Sequence, residues 1–210
     1  MKIFEYGDPG AKNVLLQPVD DRDLGMMENE VRLIGESTDV KFRLLALKTD
    51  DWNRDLSPWE APPVFGSESF GGGAERTLSG ILSVCRDDGK NYYIGGYSLA
   101  GLFALWSVYR TGLFRGAAAA SPSVWFPGFT DYMRSGSVRT EAVFLSLGDR
   151  EEKTRNPVMA TVGARIREVH ALLTEQGVDA VLRWNPGNHF RDPDARTAEA
   201  FAWILDRGAE

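Results

Sequence analysis

The sequence predicts an α/β domain built on a doubly wound, mostly parallel sheet of about six to seven strands. Three observations carry this expectation. Short apolar runs at 13–17, 42–47, 92–94, 116–120, 142–147 and 180–184 are nearly continuous rather than alternating, as in strands buried on both faces. Segments with helical spacing separate these runs. No repeat, low-complexity tract or linker divides the 210 residues, so 1–210 reads as a single domain without a large cap insertion.

Each element has its own warrant. Little strand character precedes Asn13, and the first core strand is 13–17. Residues 24–34 follow as a helix, with Met27, Val31 and Ile34 on one face. After the strand 42–47 comes a long connection, 50–73, rich in Trp, Pro and Gly. Its end, Gly71-Gly72-Gly73, lacks the lysine and serine of a phosphate-binding loop and reads as a flexible loop end. The helix 75–84 carries Leu78, Ile81 and Leu82, and Cys85 extends that stripe as a buried helix residue. Strand 92–94 and helix 99–109 flank a tight turn. Strand 116–120 leads into a second long connection, 121–137, with Pro122, Trp125, Pro127 and Gly128. Helix 157–175 shows Val162, Ile166, Val169 and Leu173 on one face and stops at Gln176-Gly177, a C-terminal capping signal. Strand 180–184 and helix 195–205 complete the alternation.

Composition narrows the classes of function. A chain 43% hydrophobic and 26% charged is that of a soluble globular protein. The net charge of -6, without a basic block, argues against a nucleic-acid partner or an anionic membrane surface. Cys85 is the single cysteine, which excludes an internal disulfide. With no apolar leader and no run long enough to span a bilayer, a reducing cytoplasm is the default address.

The chemistry concentrates in one turn. Tyr92, Tyr93 and Ile94 meet Gly95-Gly96, and Ser98 follows between bulky Tyr97 and Leu99, with Gly96 and Ala100 two positions away on either side. A strand, a sharp turn and a helix look like this when the turn presents a nucleophilic serine, because strained angles at the serine require small neighbours. A serine hydroxyl needs a base. Of the two histidines, His170 lies mid-helix and reads as a packing residue. His189, in the turn Asn185-Pro186-Gly187-Asn188-His189-Phe190 after the last strand, reaches the same sheet edge as Ser98. Three carboxylates, Asp149, Glu151 and Glu152, follow the strand 142–147 and supply candidates for the acid that orients the base. Leu99, directly after the nucleophile, supplies one backbone N–H for an oxyanion. Trp52, Trp59, Trp125 and Tyr97 read as walls of a substrate pocket. Two histidines on distant elements make a poor metal site, so no metal is expected.

With Gly96-Tyr97-Ser98-Leu99-Ala100-Gly101, Gly148-x-x-Glu151, Gly187-Asn188-His189 and Ala120-Ser121-Pro122-Ser123-Val124-Trp125, the chain resembles the α/β-hydrolase superfamily over about 13–205. Within it, the chain is similar to the esterase branch holding esterase D-like and enterochelin-esterase-like proteins. The resemblance implies hydrolysis of small-molecule carboxylic esters through an acyl-enzyme, without a cofactor. It implies Ser98 as nucleophile, His189 as base and Glu151 as acid, with Asp149 as runner-up. It also implies a second oxyanion donor after the first core strand, where Pro18 has no N–H; Val19 is the choice and Asp20 the alternative. The departure is Ala100, where the general pattern has glycine. The same residues leave open a thioesterase or acyltransferase, or a non-catalytic hydrolase-fold binding protein. Oligomeric state and natural substrate are not written in these motifs.

Overall fold

The computed structural model describes residues 2–208. In chain order the elements are β1 (Lys2–Gly7), β2 (Asn13–Val19), α1 (Asp21–Leu24), α2 (Met27–Ser37), β3 (Phe42–Lys48), α3 (Trp52–Leu56), β4 (Glu60–Ala61) and β5 (Phe70–Gly71). They continue with α4 (Ala74–Leu82), β6 (Asn91–Tyr97), α5 (Leu99–Arg110), β7 (Phe114–Ala120), α6 (Phe129–Ser135) and β8 (Ala142–Gly148). A short 3-10 turn (Met159–Thr161), α7 (Val162–Glu175), β9 (Asp179–Asn185) and α8 (Pro193–Arg207) end the order. Seven strands form one sheet in the order β1-β3-β2-β6-β7-β8-β9. All its neighbouring pairs are parallel except β1 against β3. This is the mostly parallel, doubly wound sheet that the strand–helix alternation predicts.

Two hydrophobic cores cover the two faces, and successive residues of each central strand feed them in turn. Leu45, Leu47, Ile94, Ala117, Ala119, Val143 and Leu145 join one core, whereas Leu44, Ala46, Tyr93, Ala118 and Phe144 join the other. That division explains why the strands read as unbroken apolar runs. Helix α5 lies in the first core and is buried from Leu99 to Tyr109. Helices α2 and α8 contribute Met27, Ile34, Phe201 and Ile204 to the second.

Several expectations are corrected. Strand β1 precedes Asn13 and pairs antiparallel along β3 from Lys2↔Lys48 to Gly7↔Arg43. As an edge strand with an exposed face it shows no continuous apolar run. Cys85 falls beyond the end of α4, in a turn, its amide donating to Leu82 O. Its thiol is pushed up to about 12 by burial. The 71–73 segment is fastened rather than flexible: Gly72 N donates to Ser57 Oγ at 2.9 Å and Gly73 N to Arg54 O at 2.7 Å. The connection 50–73 holds α3 and the β4–β5 ribbon, and 121–137 holds α6. Among the described residues no helix is long and apolar enough to cross a membrane, and no cluster of His, Cys, Asp and Glu could hold a metal ion.

Packing at β6 yields a paired test. A Cβ added at Gly95 would lie 2.7 Å from Ala118 Cβ and from the Phe201 ring, whereas one at Gly35, inside α2, meets nothing within 4 Å. Gly95→Ala should therefore cost roughly 1–3 kcal/mol through overpacking. Gly35→Ala should gain about 0.5–1 kcal/mol from helix propensity. Urea unfolding midpoints of the two variants check both signs.

Candidate active site

Strand β6 ends at Tyr97, α5 begins at Leu99, and the reversal falls on Ser98, held at φ 59° and ψ -118°. A non-glycine residue there stores about 1–3 kcal/mol of strain and persists only when its surroundings over-determine it. Here they do. Ser98 N donates to Ala120 O at 3.1 Å, and Ser98 O accepts from Leu102 N at 3.0 Å and Ser123 N at 3.1 Å. Gly96, at φ 153°, has no room for a Cβ, which would come 2.6 Å from Ala100 Cβ. The glycine thus accommodates the extra methyl group of Ala100.

The Ser98 hydroxyl lies 3.1 Å from His189 Nε2, and His189 Nδ1 lies 2.7 Å from Glu151 Oε2. A carboxylate can only accept, so Nδ1 carries the hydrogen and Nε2 is left to accept from Ser98. Glu151 is buried, its side chain 4% exposed. Its other oxygen accepts from Gly148 N at 2.7 Å, Ser121 Oγ at 2.7 Å and Arg196 Nη1 at 3.0 Å. Burial alone would push this carboxyl up. The bond and charge of His189, with the Ser121 and Gly148 bonds, outweigh it and hold Glu151 below the usual range.

The loop that carries His189 is fastened on several sides. Tyr97 Oη donates to His189 O at 2.9 Å, and Arg196 Nη2 donates to Pro186 O at 3.1 Å and Asn188 O at 3.2 Å. Asp149 accepts from Gly187 N at 2.8 Å, so this carboxylate braces the loop backbone while Glu151 meets the ring. Ser123 Oγ lies 3.2 Å from Ser98 Oγ. A cleft of about 150 Å³ opens beside Ser98, lined by Asp20, Arg22, Asp23 and Met26, by Trp52, and by Tyr97, His189, Phe190 and Pro193.

No family model and no curated protein matches the chain in sequence. Solved structures do match in shape. The siderophore hydrolase EstA from Aspergillus nidulans is 21% identical with a TM-score of 0.70, over 96% of this chain and 85% of that one. An IroE-like serine hydrolase from Shewanella oneidensis is 18% identical with a TM-score of 0.75, over 97% and 75%. A carboxylesterase from Bacillus cereus is 14% identical with a TM-score of 0.58, over 97% and 94%. The chain has the α/β-hydrolase fold.

Within this α/β-hydrolase fold, the expectation for Val19 is corrected. Val19 O accepts from Thr49 N at 3.0 Å, so Val19 turns both backbone polar groups toward β3. Residues an odd number of positions away face β6 instead, as Lys12 does when its carbonyl accepts from Asn91 N at 2.9 Å. Asp20, still extended at φ -102° and ψ -170°, follows this second parity and lines the cleft with Ser98. Its amide lies 3.3 Å from Asp23 Oδ2 as half of a capping box.

The aromatic expectations divide. Trp52 and Tyr97 line the cleft, whereas Trp59 and Trp125 do not. Trp59 Nε1 donates to Pro127 O at 3.0 Å and its ring packs on Phe126 and Tyr132. Trp125 packs against Phe65 and Phe70. These two are corrected to packing residues of the loops. His170 packs α7 on β9, its Nε2 3.2 Å from Ala180 O. Ser121, Ser123 and Arg196 also enter the site; the two serines belong to the Ser-Pro-Ser of the motif after β7, whereas Arg196 has no local signal.

Asp23 links the cleft to pH. Burial, reinforced by the Asp20 charge and partly offset by the Asp20 amide bond and Arg22, raises its carboxyl to about 6. The neutral acid is thus the form the fold favours, and stability declines as pH rises from about 4 through 6. Asp23→Asn keeps an acceptor for the Asp20 amide and removes the charge. It should stabilise the protein by roughly 1–2 kcal/mol at about pH 8, discounted for partial exposure, with the gain fading toward pH 4. Thermal melts across that range check the slope.

Proposed function

We propose that this protein is a serine hydrolase of small carboxylic esters, acting through an acyl-enzyme. The observation that carries the reading is the unbroken hydrogen-bonded series Ser98–His189–Glu151, anchored on a strained serine at the start of a helix. The similar solved structures, a siderophore hydrolase and a carboxylesterase among them, support the same class of reaction.

In this reading Ser98 Oγ attacks the ester carbonyl carbon while its proton passes to His189 Nε2. General-base assistance of this kind is worth about 10²–10⁴-fold. Glu151 holds the imidazole in the required tautomer and offsets the positive charge it gains. Negative charge developing on the carbonyl oxygen is received by the Leu99 amide, which opens α5 with no carbonyl upstream in the helix, and by the Asp20 amide. The Asp20 bond to Asp23 is long enough, at 3.3 Å, to be shared or exchanged for the stronger acceptor. His189 then protonates the departing alkoxide, and a water activated by the same nitrogen releases the acid from Ser98.

A cleft of about 150 Å³ suits a short acyl group; a cavity of about this size takes benzene. A cytoplasmic setting fits the single free thiol, which burial keeps unreactive.

Ser98→Ala should lower kcat/KM on nitrophenyl acetate by about 10³-fold or more and abolish fluorophosphonate labelling; retained turnover would discard the mechanism. Glu151→Gln should cost about 10³–10⁴-fold in kcat, because the amide no longer selects the tautomer. Asp149→Asn, which keeps an acceptor for Gly187 N, should stay within about threefold. Steady-state kinetics on the pair decides which carboxylate is the acid.

A further inference from the structure

Arg196, on α8, is an unusual residue to find at the centre of this fold. Its side chain is 4% exposed, yet it carries a full charge. Nη1 faces Glu151 Oε1 at 3.0 Å, Tyr97 Oη at 3.0 Å and Ser121 Oγ at 3.2 Å. Nη2 faces the carbonyls of Pro186 and Asn188 at 3.1 and 3.2 Å. One nitrogen of the fork therefore holds the carboxylate and the other holds the loop that carries His189. The two hydroxyls are also committed elsewhere: Ser121 donates to Glu151 and Tyr97 donates to the His189 carbonyl. Arg196 can only donate, so the two hydrogens of Nη1 are shared among the carboxylate and the two hydroxyl oxygens, and each hydroxyl turns its own hydrogen to its other partner.

Resting on the esterase reading, we propose that Arg196 is a positioning residue that locks the acid and the histidine loop into one unit and tempers the charge His189 meets. Glu151 presents one oxygen to the imidazole and the other to the guanidinium. The buried carboxylate is thus already paired before the histidine takes a proton. An unpaired Glu151 would draw a proton onto His189 in the resting enzyme and leave less free base at neutral pH. The other charged groups about His189 are Asp20, Arg22 and Asp23 across the cleft, Asp149, which accepts from Gly187 N, and Arg191 and Asp192 on its own loop, which pair with each other. None of these replaces a cation on the far side of Glu151. Lysine would keep the charge but, lacking the planar fork, could not serve both the carboxylate and the loop carbonyls.

The test compares Arg196→Met and Arg196→Lys with the unaltered protein, reading kcat, KM and the pseudo-first-order rate of fluorophosphonate labelling at Ser98 across pH. That rate counts only folded molecules, so partial misfolding does not distort it. Arg196→Met should move the acid limb of kcat/KM and of labelling up by about one pH unit and slow labelling at pH 7 about tenfold, with KM little changed. Arg196→Lys should restore the limb while kcat stays below that of the unaltered protein. Loss of rate with an unmoved limb in Arg196→Met would make the residue merely structural and overturn the proposal. If Arg196→Met does not fold, a shifted limb or a full kcat in Arg196→Lys overturns it. Absence of labelling in the unaltered protein would instead defeat the esterase reading on which the clamp rests.

Discussion

A carboxylate withdrawn from water destabilises a fold unless its lone pairs are filled, and the demand of Glu151 organises the carboxyl edge of this sheet. One oxygen takes the imidazole of His189; the other takes a backbone amide from the end of β8, a hydroxyl from the segment after β7 and a guanidinium from α8. Segments far apart in the chain are thereby tied to a single side chain. Because each donor has further partners, the ties form a network rather than a star: Tyr97 and Arg196 bridge back to the histidine loop from the opposite direction. Removing one member leaves others buried and unpaired, which is why such networks resist gradual change.

The serine end of the site rests on crowding rather than charge. Ser98 keeps its positive φ because three backbone bonds fix it between β7 and α5, and because small residues let strand, turn and helix close on one another. The alanines of β7 serve the same purpose across the sheet, with Ala117 and Ala119 in one core and Ala118 in the other. Strain at Ser98 and close packing beneath it are two aspects of one arrangement: the fold has the tightly built interior needed to hold a residue where it would not rest unaided.

Features with a local cause were legible in the sequence. Central strands appear as apolar runs because both faces are buried, and the turn at Ser98 shows its size requirement in Gly96 and Ala100. Other features exist only once distant segments are aligned. Whether Val19 or Asp20 faces β6 depends on strand parity, and one residue reverses the answer. An arginine in an amphipathic helix has the same neighbours whether it reaches solvent or core, so Arg196 gave no sign of its burial. The tryptophans of the long loops announce packing without naming what they pack against, and Trp52 alone of the three expected reached the cleft. Strand β1 escaped because an edge strand with an exposed face carries only half the apolar signal.

The placement of Arg196 and His189 late in the chain has a consequence for biosynthesis. Ser98 and Glu151 leave the ribosome first, but the imidazole and the guanidinium that complete their surroundings belong to the loop after β9 and to α8. A nascent polypeptide therefore leaves Ser98 without its imidazole partner, and Glu151 without its guanidinium, until the last loop and α8 join the sheet.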